Sequence, residues 1–347
     1  MNGDSLPDIR SLTKETMQQF FLLHGEKKFR ADQLYEWLWK KSAISFDAMT
    51  NLSRPVQKML QDCFSFYSAV PETRQQSADG TVKVAFKLHD GLIVEGVLIP
   101  SGTRSTVCIS SQVGCALGCK FCATGQLGFK RNLTTGEIFD QITGMRTSGN
   151  DGLSALSNIV FMGMGEPFLN YSNVCQAIDR ITATDGLGMS PQRITVSSVG
   201  VPKMIRRMAD DDPKYHFALS LHAATDEKRD KIIPFNMKNK LSEIIDALKY
   251  YHQKTGMRIT IEYILFHNFN DLPTDAKDLA LFCRNFPVKV NIIEYNPVGR
   301  SDFQKSSPEN TKRFVAYLEN RNMVVNVRQS RGNDIDAACG QLAGKKR

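Results

Sequence analysis

The sequence predicts an α/β fold, with helices covering a parallel sheet, and three observations carry that prediction. From residue 105 onward, strand-like runs alternate with helical patterns at a steady pitch. Ahead of that alternation, residues 1–72 read as helical and residues 73–104 as a β-hairpin. A length of 347 residues suffices for one large domain and a small one. The expected division is therefore 1–72, a helical accessory domain; 73–104, a hairpin linker; and 105–347, the α/β domain.

In the first segment, Lys14-Glu-Thr-Met-Gln-Gln-Phe-Phe-Leu-Leu23 clusters its apolar positions at helical spacing. Phe29, Ala31, Leu34, Trp37 and Leu38 recur every three to four residues and are expected in a core. Lys27, Lys28, Arg30, Lys40 and Lys41 surround them, as a solvated face or as a grip on a phosphate backbone. Ser53 is placed to cap a third helix with Pro55 in its first turn. In the second segment, Thr81–Leu88 alternates, His89-Asp90-Gly91 turns, and Leu92–Ile99 returns. Glu95 interrupts that apolar return; the common fate of such a residue is an outward-facing edge carboxylate.

In the third segment the strand candidates are 105–110, 157–162, 193–198, 215–221, 258–265, 288–293 and 323–328. The helical candidates are 134–148, 171–183, 201–209, 240–255, 273–285 and 308–321. Periodicity does not separate a partial barrel from a doubly wound sheet. No G-x-G-x-x-G follows the first strand, which counts against a dinucleotide fold.

Composition narrows the function. A chain 41% hydrophobic and 23% charged is globular in character. No apolar run reaches the roughly 18 residues of a membrane span, and the start, Met1-Asn-Gly-Asp-Ser-Leu-Pro7, lacks the basic-then-apolar pattern of a secretory signal. Eight cysteines in so long a chain do not make a disulfide scaffold; a reducing cytosol and metal-binding or catalytic thiols fit them. The net charge of +8 makes nucleic acid the first partner to test.

Cys115, Cys119 and Cys122 are spaced C-x3-C-x2-C on a loop that leaves the first strand of the alternation. Such thiolates can converge on one soft metal centre. A [4Fe–4S] cluster held by three cysteines keeps one iron open, since the full set is four. A zinc site would want a second ligand pair, which is missing nearby in sequence, and buried core cysteines are the remaining reading.

The longer string Ser110-Ser-Gln-Val-Gly-Cys-Ala-Leu-Gly-Cys-Lys-Phe-Cys-Ala-Thr-Gly125 resembles the cluster loop of the RlmN/Cfr family of radical S-adenosylmethionine (SAM) enzymes. Gly163-Met-Gly-Glu-Pro167 and Arg331-Gly-Asn-Asp-Ile-Asp-Ala-Ala-Cys339 match the same family, so the resemblance spans nearly the whole chain. It implies an open (βα)6 barrel, a [4Fe–4S] cluster on Cys115, Cys119 and Cys122, and SAM used twice per turnover. It implies SAM contacts by Gly165, Glu166, Ser197, Ser220, Leu221, His222 and Asn296. Cys339 maps to the methyl-accepting cysteine, Cys108 to the second reactive cysteine, and Glu95 to the proton acceptor. A Cys108–Cys339 disulfide is implied at the end of turnover. Cys63, Cys175 and Cys283 match no motif and read as structural.

The implied activity is methylation at C2 of an adenosine in the peptidyl-transferase region of 23S rRNA, with an anticodon-loop adenosine of some tRNAs as a further substrate. An electron donor to the cluster, a cytoplasmic location and a monomer go with it. Val113, Ala116-Leu117 and Pro167 resemble the C2 branch of the family; the alternative is the branch that methylates C8. An alternative of another class is a non-catalytic iron–sulfur or zinc RNA-binding protein, which would need neither the Gly163–Pro167 motif nor Cys339.

Overall fold

In the computed structural model the residues described are 6–147, 156–299 and 302–344. Residue 148, the expected end of the helix from 134, and the first five residues read for a signal lie outside them. The N-terminal unit holds α1 (Lys14–Leu23), α2 (Phe29–Trp39) and α3 (Arg54–Cys63). Thr13 caps α1, its hydroxyl accepting from the Thr16 amide at 3.2 Å. Ser53 does stand at the N-cap of α3, but its side chain makes no capping bond, and Pro55 fixes the first turn instead. Met17, Phe21, Leu34, Leu38 and Leu60 form the core of this unit. Phe29 departs from expectation: it opens α2 at the surface rather than in the core.

The chain then forms β1 (Val70–Gln76), β2 (Val82–Lys87), β3 (Ile93–Ser101), β4 (Arg104–Cys108) and β5 (Gln112–Gly114). After these come α4 (Ala123–Gln126), β6 (Phe129–Asn132), α5 (Thr135–Thr147), β7 (Leu156–Phe161), α6 (Tyr171–Thr182) and β8 (Ile194–Ser198). Next are α7 (Pro202–Asp210), β9 (His216–Ser220), α8 (Asp226–Ile232), α9 (Leu241–Thr255) and β10 (Ile259–Leu265). The last are α10 (Pro273–Cys283), β11 (Val288–Glu294), α11 (Pro308–Glu319) and β12 (Val324–Arg328).

Among the described residues, one ten-stranded sheet runs β1-β2-β3-β4-β7-β8-β9-β10-β11-β12. Strands β1 to β4 pair antiparallel. From β4 to β12 every pairing is parallel, with helices in the crossovers. This is the open βα barrel that the resemblance implies, extended at its start by a meander and at its end by β12. Strand β10 is buried along its whole length, which is why Ile259–Leu265 reads as a nearly continuous apolar run. The edge strand β1, Val-Pro-Glu-Thr-Arg-Gln-Gln, is mostly exposed and so polar that periodicity missed it.

Two contacts fix the helical unit onto the barrel. Arg10, fully buried, pairs with Asp140 on α5 at 2.6 Å and donates to the Tyr67 carbonyl at 2.8 Å. Trp39 packs edge-to-face on Phe139 of α5, centroids 5.3 Å apart.

Candidate active site

The cluster loop is closed at its base by a small sheet that the sequence did not announce. Strands β5 and β6 pair antiparallel, Gly114 opposite Phe129, so residues 115–128 leave and return at one point. Inside the loop the Cys115 amide donates to the Gly128 carbonyl at 3.1 Å, and the Cys122 amide to the Cys119 carbonyl at 3.2 Å. Phe121, the aromatic before the third cysteine, packs on His222 and Phe266 and pins the loop to the barrel. Burial pushes the Cys115 thiol up to about 12 and the Cys119 thiol well above its ordinary value.

The parallel strands end at the same mouth. Between β7 and α6, Gly165 takes φ +97°, and a Cβ there would stand 2.5 Å from the Gln112 side chain. Only glycine allows this close approach. Glu166 is buried, one carboxylate oxygen accepting from the Phe168 amide and the other from the Val199 amide, each at 3.0 Å. Burial raises its pKa to about 7, against those hydrogen bonds. The hydroxyls of Ser197 and Ser220, on β8 and β9, lie 2.9 Å apart. His222 holds φ +57° with Nδ1 accepting from the Ile264 amide at 3.1 Å, and burial lowers its pKa to about 3. It is a neutral, fixed ring that presents its other nitrogen as a donor.

The tail folds back across this mouth. The Ala123 amide donates to the Gly340 carbonyl at 2.7 Å, and the Thr124 hydroxyl to the Leu342 carbonyl at 2.6 Å. Asn296 Nδ2 donates to the Cys339 carbonyl at 3.3 Å. Cys339 therefore stands beside the cluster loop, more than two hundred residues away in sequence.

One cavity of about 590 Å³ joins these parts. Its wall includes Cys115, Cys119 and Cys122, Gly165 and Glu166, Ser197 and Ser220, His222, Asn296, Cys108 and Cys339. Two expected site residues are not on it. Leu221 is buried in the core, with its carbonyl accepting from Arg229. Glu95 is only 2% exposed and lies behind the tail, not outward at an edge.

The Cys108–Cys339 disulfide that the resemblance implied is not present: all eight cysteines are free thiols. The pair stands in its reduced state, and closing a disulfide would need a two-electron oxidant. Surrounding protein raises the Cys108 thiol to about 12 and the Cys339 thiol, although solvent-exposed within the cavity, to about 11, the Arg328 guanidinium pulling both the other way.

Sequence reasoning missed a polar row inside the barrel. Ser220, Glu262, Asn291 and Asn326 sit side by side across β9 to β12. Asn326 donates to Asn291 at 3.3 Å and Asn291 to Glu262 at 2.8 Å, while Arg328 stands 3.6 Å from the other Glu262 oxygen. The signal was one polar residue in register on each apolar strand, visible only once the pairing is known. Arg229 was missed as well. Fully buried on α8, it donates to the Leu221, Val199 and Ser220 carbonyls and braces the ends of β8 and β9.

The donor set suits a soft, cationic cofactor. Three thiols from one loop share a cavity wall, and burial leaves Cys115 and Cys119 uncharged unless a cation arrives. Among the described residues no three His, Cys, Asp or Glu side chains converge tightly enough for a single metal ion. An iron–sulfur cube does not require that, because each thiolate binds its own iron.

Comparisons with known proteins agree with this geometry. Residues 7–65 match the family model of the ribosomal RNA large subunit methyltransferase N-terminal domain, and residues 109–280 that of the radical SAM superfamily. A probable dual-specificity RNA methyltransferase RlmN of Flavobacterium psychrophilum is 52% identical over 340 residues, 98% of each chain. A probable RlmN of Christiangramia forsetii is 51% identical over 343 residues, 99% of this chain and 97% of that protein. The crystal structure of a radical SAM methyltransferase from Sphaerobacter thermophilus superposes with a TM-score of 0.92 at 37% identity, covering 98% of this chain and 100% of that one. Among the described residues no helix is long and apolar enough to cross a membrane.

Proposed function

The chain belongs to the RlmN family of radical SAM RNA methyltransferases, and on that premise we propose that it methylates C2 of an adenosine in the peptidyl-transferase region of 23S rRNA and an anticodon-loop adenosine of some tRNAs. The observation that carries this reading is the meeting of two distant thiol sets in one cavity: Cys115, Cys119 and Cys122 on the loop, and Cys108 and Cys339 from β4 and the tail. A non-catalytic iron–sulfur protein has no use for the second set.

In this reading Cys115, Cys119 and Cys122 hold a [4Fe–4S] cluster. The Gly163–Pro167 backbone, Ser197, Ser220, His222 and Asn296 receive SAM. When bound, the cluster and two SAM molecules per turnover supply a methyl group and one-electron radical chemistry. The chain supplies what that chemistry lacks. An adenine ring carbon between nitrogens is too electron-poor to attack a SAM methyl, whereas a deprotonated thiol is a good nucleophile. Cys339 is that acceptor, and it carries the methyl to the base. Arg328 sits where a positive charge favours the thiolate of Cys339 and Cys108, opposing the net rise that their surroundings impose on both. Cys108 frees the product from Cys339, and Glu95 takes up the ring proton. The neutral His222 is fixed by the Ile264 amide and the Phe121 ring, and Arg229 holds the neighbouring Leu221 carbonyl.

The test is to map methyladenosine isomers by mass spectrometry in RNA from a deletion strain, with and without this protein. The expected result is 2-methyladenosine restored in 23S rRNA and in tRNA. Restored 8-methyladenosine would move the chain to the C8 branch, and no methyladenosine would favour a binding protein.

A further inference from the structure

The tail that carries Cys339 is fastened on its far side by the antiparallel meander. Glu95 Oε2, on β3, accepts from two successive backbone amides, Ala343 at 2.7 Å and Gly344 at 2.9 Å. Its other oxygen pairs with Lys83 on β2 at 3.5 Å, and Lys83 also reaches the Asp336 carbonyl at 3.4 Å. At the turn between β1 and β2, Asp79 accepts from the Gly332 amide at 3.0 Å, and Ser77 donates to Asp334 at 2.6 Å. The tail has adapted to this clasp: Gly344 takes φ +61°, and a Cβ there would lie 2.9 Å from the Ile93 carbonyl. Glu95 itself is not on the cavity wall, whereas Cys339, four residues before Ala343, is.

We propose that Glu95 is the docking residue of the Cys339 loop: its carboxylate clasps the amides of residues 343 and 344 and thereby sets where the Cys339 thiol stands. In the substrate-free enzyme this makes Glu95 a positioning residue. A single oxygen engaged by two N–H groups is committed to them, so Glu95 reaches a ring proton only after residues 343–344 lift. The docking rests on geometry alone; its consequence for methylation rests on the reading of Cys339 as methyl acceptor.

The experiment uses full-length, cluster-reconstituted protein without RNA. Amide hydrogen exchange is followed in a peptide spanning 332–344. In Glu95→Ala the exchange of the 343 and 344 amides should rise by roughly tenfold, the size of one lost charge-assisted hydrogen bond. Glu95→Gln keeps a carbonyl oxygen for both amides and should retain most of the protection. Amides of the cluster loop should not change. Unchanged exchange in Glu95→Ala overturns the docking. If Glu95→Ala does not fold, Gly344→Ala strains the clasp from the tail side and should give the same rise; no rise there overturns the proposal equally.

A second arm measures single-turnover methyl transfer from SAM to Cys339 by intact mass. Docking predicts slow transfer in Glu95→Ala and near-normal transfer in Glu95→Gln. Equal, unslowed transfer in both variants would leave Glu95 a proton acceptor alone and overturn the positioning role. Absence of transfer in the wild-type protein would instead strike the methyl-acceptor reading, with the exchange result untouched.

Discussion

The loop of Cys115, Cys119 and Cys122 and the tail loop bring thiols to the same cavity, yet they are held in opposite ways. The cluster loop is fixed from within. A two-stranded pair closes its base, its own amides and carbonyls bond across it, and Phe121 anchors it to the barrel. The tail loop is fixed from outside, by side chains some two hundred and fifty residues earlier in the chain: Glu95, Lys83, Asp79 and Ser77. A loop held from within keeps its shape through a catalytic cycle. One held by side chains from a distant segment, the buried Glu95 and Lys83 among them, can be released and reset only when those bonds open.

The largest effects test whether the two loops have separate tasks. Replacing Cys115, Cys119 and Cys122 with alanine should remove about four irons per chain, the brown colour and all RNA methylation, if the cluster is [4Fe–4S]. Iron analysis and visible absorption after anaerobic reconstitution measure this; stoichiometric zinc in the wild-type protein would refute it. On the tail side, Cys339→Ala should keep the iron but give neither methylated RNA nor a protein–RNA adduct. Cys108→Ala should accumulate an adduct, seen on a denaturing gel as RNase-sensitive mass that survives reductant. A Cys339→Ala protein that still methylates RNA would make the tail cysteine a bystander.

Intermediate effects concern the brace beneath the strand ends. Arg229→Ala leaves the Leu221 and Ser220 carbonyls without their buried donor. It should cost roughly 3 kcal/mol or more in urea unfolding, several unmet acceptors at about 1–3 kcal/mol each. A loss under about 1 kcal/mol would mean water replaces the guanidinium.

Glu166 gives a pH signature that the tail loop should not share. Its folded pKa of about 7 lies above the ordinary 4.5, so the folded chain holds the proton more tightly than the unfolded one. Its contribution to stability is full below pH 4.5 and is lost as pH rises through about 7. In cofactor-free protein, Glu166→Gln should flatten the fall in melting temperature across that window; an unchanged slope would assign the fall to other groups. The smallest effect lies in the helical N-terminal unit. Neutralising Lys27, Lys28 and Arg30 should flatten the salt dependence of RNA binding by roughly 0.7 to 0.9 per lost phosphate contact. An identical slope would leave them a solvated face.

The sequence was most legible where a residue's role is local. The cysteine spacing of the cluster loop, the helical spacing of the α1 and α2 faces and the apolar runs of β7 to β11 each declare themselves within a few residues, and the structure places them close to where the pattern did. It was least legible where a role depends on pairing. Strand β1 is polar because it lies at a sheet edge, Phe29 stands exposed at the start of α2 with the Arg30 guanidinium over its ring, and β5 and β6 are too short to show a period.

What the sequence determined by itself is the alternation of strand and helix and, through matched strings, the family. These depend on backbone period and on residue chemistry, which travel with the chain. What only the tertiary structure decided is which distant groups face one another. The polar row from Ser220 to Asn326 exists because parallel register aligns one residue from each strand. Glu95 became a buried clasp rather than an edge carboxylate because the tail returns over β3 and supplies amides that satisfy its charge. Burial of a charge is permitted only where such partners arrive, and their arrival is a property of the fold rather than of any segment.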